Sequence, residues 1–229
     1  MNEEFNRKYN FNLVYFIIII MILVLIAYLV MRPSTGKQEV TRINLFNGQD
    51  ISDWILFLAD SSVNPDTVFY VNDDVIRIGG QPFGYMRTPS EYSDYHLHVE
   101  WKWPEQPGNS GVFLNMSGPD QQWPALIECQ LKSGNAGDFV FLGGSDAAER
   151  LDKTNRVIPK LNPGLENPVG EWNFYDIHSR NDSIIVYLNG VLQNSCSQPK
   201  PESGYIGLQS EGALIEFKNV YLEYIPQNQ

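Results

Sequence analysis

Beyond residue 42 the apolar positions of this chain recur at every second residue, in short runs separated by Gly, Pro, Asn and Asp. That spacing puts apolar side chains on one face of a strand and polar ones on the other. Segment 95–103 shows it most cleanly. Tyr95, Leu97, Val99, Trp101 and Trp103 share one face, and His96, His98, Glu100 and Lys102 share the other. Comparable runs lie at 67–71, 75–78, 112–115, 126–131, 138–142, 172–179, 184–188, 205–209 and 215–224. Asn72, Asp73 and Asp74, and the pair Asn189-Gly190, supply turn chemistry at the ends of such runs. No amphipathic helix of useful length interrupts the series. The pattern predicts an all-β fold, an antiparallel two-sheet sandwich of jelly-roll type. Segment 143–170, rich in Pro, Asn and charge, carries no strand pattern and is expected to be a functional or mobile loop.

One stretch, 108–132, concentrates polar groups on a strand face. Leu126, Glu128, Gln130 and Lys132 have one parity, and Ile127, Cys129 and Leu131 the other. The neighbouring loop brings Asn109, Ser110, Gln121, Gln122 and Trp123. Amide and hydroxyl hydrogen-bonders beside an aromatic plate suit a sugar ring. Trp54, Trp101, Trp103 and Trp172 fall within strand patterns and are expected in the core.

The N-terminal end reads differently. Residues 13–31 contain no charged side chain, and nineteen residues of helix reach roughly 28 Å, the thickness of a bilayer's hydrocarbon. The run is too long for a cleaved signal peptide and no small-residue cleavage site follows it. The expected order is a short tail (1–12), a transmembrane anchor (13–31), a polar linker (32–42) and one domain (43–226). Lys and Arg flank both ends of the span, so charge alone does not choose its orientation.

Charge narrows the ligand class. The chain has 16 Lys and Arg against 27 Asp and Glu, a net charge of −11. Residues 1–37 hold four basic and two acidic groups, which leaves 12 against 25 in the remainder. Such a surface repels phosphate backbones and argues against nucleic acid. A neutral carbohydrate meets no such penalty. The two cysteines, Cys129 and Cys196, show no metal-type spacing. Cys129 lies on an apolar strand face as a buried thiol would, and pairing with Cys196 is left open.

The blocks LFNGQDISDW, GYMRTPSEYSDYHLHVEW, NSGVFLN, IECQL, GEWNFYDI, IVYLNGVLQN and GYIGLQSEGALIEFKNVYLEYI occur in this order between about residues 43 and 225. Together they resemble the domain of unknown function 1080 family, also called the 3-keto-disaccharide hydrolase family. The resemblance implies a concanavalin-like jelly roll with a sugar cleft, located outside the cytoplasm of a bacterium, periplasmic or extracellular. It also implies cleavage of glycosides whose sugar is already oxidised to a ketone at carbon 3. Such chemistry needs a general base, a donor for the leaving oxygen and stabilisation of an enolate.

By that resemblance Glu128 of the Glu-x-Gln strand is the first candidate acid or base, and Glu100 the second. Arg87 and Lys132 are candidates to hold the enolate oxygen or substrate hydroxyls, with Gln130, Asn109 and Trp123 as further substrate contacts. Two positions depart from the family's habit: Lys132 stands where Asp is more frequent, and Asn115 where Arg is common. His96 and His98, alternating with Glu100, form a weak candidate metal site, and a divalent ion is the cofactor they would take. The family's usual residues at those two positions are not His. The leading expectation is a membrane-anchored carbohydrate-active enzyme. The alternative is a carbohydrate-binding jelly-roll module without catalysis.

Overall fold

The computed structural model describes residues 15–28, 41–180 and 182–224. The chain divides into two compact units, Met1–Gln38 and Glu39–Gln229.

In the first unit, residues 15–28 form a helix. Its large side chains are apolar all round and exposed, from 42% for Ile18 to 63% for Val24. Among the described residues no helix is long and apolar enough to cross a membrane. Of the expected span 13–31, residues 13, 14 and 29–31 lie outside the described residues. So do the tail 1–12 and linker residues 32–40.

The second unit is an antiparallel two-sheet sandwich. One sheet contains β1 (Thr41–Asn44), β3 (Phe69–Asn72), β4 (Val75–Ile78), β6 (Tyr95–Lys102), β11 (Asn173–Arg180), β12 (Ser183–Leu188), β13 (Val191–Ser197) and β15 (Ile215–Tyr224). The other contains β2 (Ile55–Leu58), β5 (Gly84–Arg87), β7 (Gly111–Ser117), β8 (Ala125–Gln130), β9 (Phe139–Leu142), β10 (Val157–Ile158) and β14 (Tyr205–Ser210). The first runs in the order β13-β12-β11-β6-β15-β4-β3, and β1 pairs with the far end of β15. The second runs β10-β9-β8-β7-β14-β5-β2.

Alternation explains the layering. In β6 every second residue from Tyr95 to Trp101 is buried and the residues between are half-exposed. Leu97, Val99 and Trp101 meet Val112, Leu114, Ile127, Cys129, Ile206 and Leu208 from the facing sheet in one apolar core. A second, smaller cluster of Tyr85, Phe113, Met116, Leu126, Val140 and Leu142 belongs to the opposite parity of the seven-stranded sheet. That sheet therefore buries side chains on both faces. Cys129 and Cys196 are free, buried thiols.

Five strands lie outside the runs that alternation picks out. β10 has two residues, β1 and β2 have four each, and β5 is buried without alternating. β13 is polar, and its Gln193 and Asn194 are buried because they hold the long segment. Gln193 Nε2 donates to Asn162 O at 2.7 Å and Asn194 Nδ2 to Ile158 O at 3.1 Å. Within that segment the Arg150 guanidinium donates to the carbonyls of Ser145, Lys153 and Asn155 at 3.0, 2.8 and 2.8 Å. The segment 143–170 is thus tied down by side-chain-to-backbone bonds. Trp172 departs from the expected core position: it is half-buried, with the Lys218 and Lys102 ammonium groups 4.2 and 4.7 Å from its ring centroid.

Candidate functional site

The smaller cluster borders a polar pocket on the face of the seven-stranded sheet turned away from its partner sheet. Strand register builds it. Across β7 and β8, Gly111 pairs with Gln130 and Phe113 with Glu128. Across β7 and β14, Gly207 pairs with Phe113, and just beyond the strands Asn109 bridges Glu211. The two-residue period then gives Asn109, Gly111, Glu128, Gln130, Gln209 and Glu211 a common face.

Gly111 is the floor. A Cβ at this position would lie 2.6 Å from Glu128 Cγ and 2.7 Å from Cδ, well inside contact distance. The missing side chain is what lets the Glu128 carboxyl fold down over the sheet. There it is only 3% exposed, and its Oε1 has no hydrogen-bond partner. Asn109 Oδ1 and Gln209 Oε1 are likewise buried and unpartnered. An unmet buried polar atom costs about 1–3 kcal/mol, so Glu128 Oε1 and Asn109 Oδ1, both at the pocket, mark a place for incoming polar groups.

The Glu128 carboxyl is pushed up to about 8, first by burial and then by the charge of Glu211, with Arg156 opposing. The pocket above it holds about 220 Å³ and is bordered by Asn109, Trp123, Lys132, Arg156 and Glu211. Gln130 Oε1 accepts from the backbone N–H groups of Leu131 and Lys132 at 2.9 and 2.8 Å, which leaves its amide N–H₂ as the donor end. Asp138, also at the pocket, is fixed by Lys160 N at 2.8 Å and Asn135 Nδ2 at 3.1 Å. Gln209 Nε2 donates to Glu211 Oε2 at 2.8 Å. Trp123 is 42% exposed, its ring 4.5 Å from that of Phe83.

Five of the residues singled out in the sequence meet here: Glu128, Gln130, Lys132, Asn109 and Trp123. Arg87 does not border the pocket. It grips Asp120 through Nε and Nη2 at 2.7 and 2.8 Å, with its guanidinium 4.2 Å from the Tyr205 ring centroid. Asp120 lies in the loop that carries Trp123, so Arg87 is tied to that loop and not to the pocket. Glu100 sits in the other sheet, on β6, and is bound by Asn219 Nδ2 at 2.7 Å and Lys218 Nζ at 3.3 Å. It cannot share acid and base duties with Glu128, because the core separates the two polar faces.

His96 and His98 share that remote face. Both approach Asp176 Oδ1, at 3.0 and 2.8 Å, and His96 Nδ1 lies 3.3 Å from Glu223 Oε2. Burial works against it, yet the hydrogen bonds with His96 and His98 hold the Asp176 carboxyl well below its ordinary range. Among the described residues no group of three or more His, Cys, Asp or Glu is arranged to hold a metal ion. Asn115 has a backbone role: its φ is 52°, its Oδ1 accepts from Tyr95 Oη at 3.3 Å, and its Nδ2 donates to Pro201 O at 2.9 Å. Asn tolerates that left-handed conformation better than most residues.

The sequence reading missed Glu211, Gln209, Asp138 and Arg156. For Gln209 and Glu211 a signal existed, since positions 207, 209 and 211 continue one strand parity. For Arg156 there was none, because only the folded course of segment 143–170 brings it to the pocket.

The fold and the pocket together define a jelly-roll sandwich with a buried carboxyl on one sheet face. The profile of the 3-keto-alpha-glucoside-1,2-lyase-like domain matches residues 41–223, and the chain belongs to that family. No curated protein matches it. Among solved structures, one from Parabacteroides distasonis ATCC 8503, with a provisional glycosyl hydrolase assignment, superposes with a TM-score of 0.60 at 20% identity, covering 80% of this chain and 99% of its own. A second from the same organism, with the same provisional assignment, gives 0.57 at 20%, covering 79% and 92%. The β-glucanase of Bacillus licheniformis gives 0.51 at 15%, covering 85% and 100%. At these identities the structures establish a common fold.

The buried carboxyl has a consequence for stability. Folded Glu128 keeps its proton up to about pH 8, whereas the unfolded chain releases it near the ordinary value of 4.5. The folded state therefore binds more protons within that window, and this group's contribution to stability falls as pH rises through it. Glu128→Gln has no such proton to lose. Its stability relative to the native chain is expected to climb between pH 4.5 and 8, read from urea unfolding midpoints at both ends. A pH-independent difference would contradict a raised carboxyl.

Proposed function

We propose that the chain is a membrane-anchored, extracytoplasmic enzyme that cleaves 3-keto-glycosides by elimination across carbons 1 and 2, followed by hydration. The observation that carries this reading is the buried, unpartnered Glu128 carboxyl, poised near neutrality in a pocket with a second unmet acceptor, Asn109 Oδ1. A group balanced between its two protonation states is suited to proton transfer at neutral pH. A ketone at carbon 3 acidifies the hydrogen on carbon 2, so a protein base suffices to remove it. Lys132 and Arg156 border the same pocket and bring positive charge toward the enolate oxygen. A hydroxyl group of the sugar supplies the donor that Asn109 Oδ1, at the pocket's border, lacks. Trp123 offers its exposed face to the ring or the aglycone. At about 220 Å³ the pocket falls below the roughly 300–1,000 Å³ of drug-sized sites and accommodates one sugar ring.

The anchoring half of the proposal rests on the helix at 15–28, apolar on every side and exposed, within an uncharged run of nineteen residues. Such a surface is stable in lipid rather than in water.

Two outcomes are expected. The domain releases aglycone from a chromogenic 3-keto-glycoside, and Glu128→Gln lowers turnover by about 10²–10⁴-fold, the usual weight of a proton-transfer group. Saturable binding of unoxidised sugar with no turnover would replace this reading with a binding module. The full chain is also expected to stay with membranes after an alkaline carbonate wash, whereas a chain beginning at residue 39 is released; a full chain that is freely soluble would refute the anchor.

A further inference from the structure

Glu211 occupies a place in the pocket that the reading above leaves without a task. It bridges Asn109 across the open end of β7 and β14, on the strand face that also carries Gln209 and Glu128. Its surroundings differ from those of Glu128 in two respects. Glu211 is half-exposed and accepts a hydrogen bond from Gln209 Nε2 at 2.8 Å. Glu128 is nearly sealed from solvent, and its Oε1 accepts none. Contact with solvent and a hydrogen-bond donor suit Glu211 to accept a proton from substrate, whereas burial keeps the proton on Glu128. The charge of Glu211 is itself one reason that Glu128 holds its proton, after burial. Lys132, Asp138 and Arg156 are the other charged groups bordering the pocket, and Arg156 acts in the opposite sense on Glu128.

We propose that Glu211 is the general base of the elimination and Glu128 its general acid, an assignment that rests on the proposed 3-keto-glycoside chemistry. Glu211 takes the hydrogen from carbon 2 as a proton. The C2–H electron pair is held first in the enolate of the carbon 3 ketone, and as the ketone re-forms it becomes the C1=C2 double bond conjugated with it. The C1–O bond breaks, and the departing oxygen receives the proton of Glu128. The site is left with a protonated Glu211 and an ionised Glu128. Water then adds at carbon 1, giving one proton to Glu128, while Glu211 returns its proton to carbon 2. Both carboxyl groups end as they began, and no oxidant, reductant or further reactant is consumed. Gln209, fully buried between the strands, is a positioning residue that fixes the Glu211 carboxylate.

The test separates the two protons. A chromogenic 3-keto-glycoside is incubated in D₂O with the full chain, and deuterium entry at carbon 2 and aglycone release are followed together. Glu211→Gln is expected to lose both, with exchange falling by about 10²–10⁴-fold. Glu128→Gln is expected to lose release while keeping exchange at carbon 2. Glu211→Asp, which preserves the carboxylate, retains part of the exchange and guards against a merely structural loss. A native chain that releases aglycone while Glu211→Gln still exchanges carbon 2 at the native rate overturns the assignment alone, and so does a folded Glu211→Asp as inactive as the Gln variant. A native chain that neither exchanges nor releases overturns the functional reading and the assignment with it.

Discussion

The site depends on one contact, the Glu128 carboxyl lying on the backbone of Gly111. Any other residue at position 111 would place a Cβ inside the Glu128 side chain. The glycine therefore fixes how deeply the carboxyl descends, and depth fixes its chemistry. A carboxyl so nearly sealed from water, with one oxygen unpartnered, is costly to ionise. That cost, with the charge of Glu211 added, is what raises it to about 8. The remaining polar groups around the floor are placed by strand register, so the sandwich as a whole positions this contact.

The two polar faces of the sandwich show why polarity alone does not locate a site. On the eight-stranded sheet Glu100, Asp176, Glu216 and Glu223 each have a cationic or histidine partner. Its carboxylates are paired, although the same face carries a cavity of about 1020 Å³ bordered by His98, Glu100, Trp172 and Lys218. On the seven-stranded sheet Glu128 and Asn109 at the pocket each present an unmet oxygen, and Gln209 beneath them another. Unmet acceptors under a small pocket mark reactive or binding surface more sharply than charge density does.

Much of this was legible in the sequence, for definite reasons. The period of two assigned the core face of β6 correctly, and the shared parity of Glu128, Gln130 and Lys132 put them on one wall. Parity does not say in which sheet a strand lies, however. Glu100 has the same polar-face signature as Glu128, and only strand order separates them, with β6 between β11 and β15 and β8 between β7 and β9. Arg156 was invisible because it is delivered by a segment held by the carbonyl contacts of Arg150, Gln193 and Asn194, which leave no periodic trace. Trp172 looked like core because the run it was read into alternates, but it precedes β11 and lies under two lysine ammonium groups. Asn115 drew notice as a departure from family habit, and its φ of 52° accounts for it as a backbone requirement.

The central claim is that burial over Gly111 keeps Glu128 protonated at neutral pH. Carboxyl-carbon NMR of the ¹³C-glutamate-labelled protein, with the resonance assigned through Glu128→Gln, measures this directly. Glu128 is expected to titrate near pH 8. Titration near 4.5, the ordinary value for a glutamate, would contradict the account.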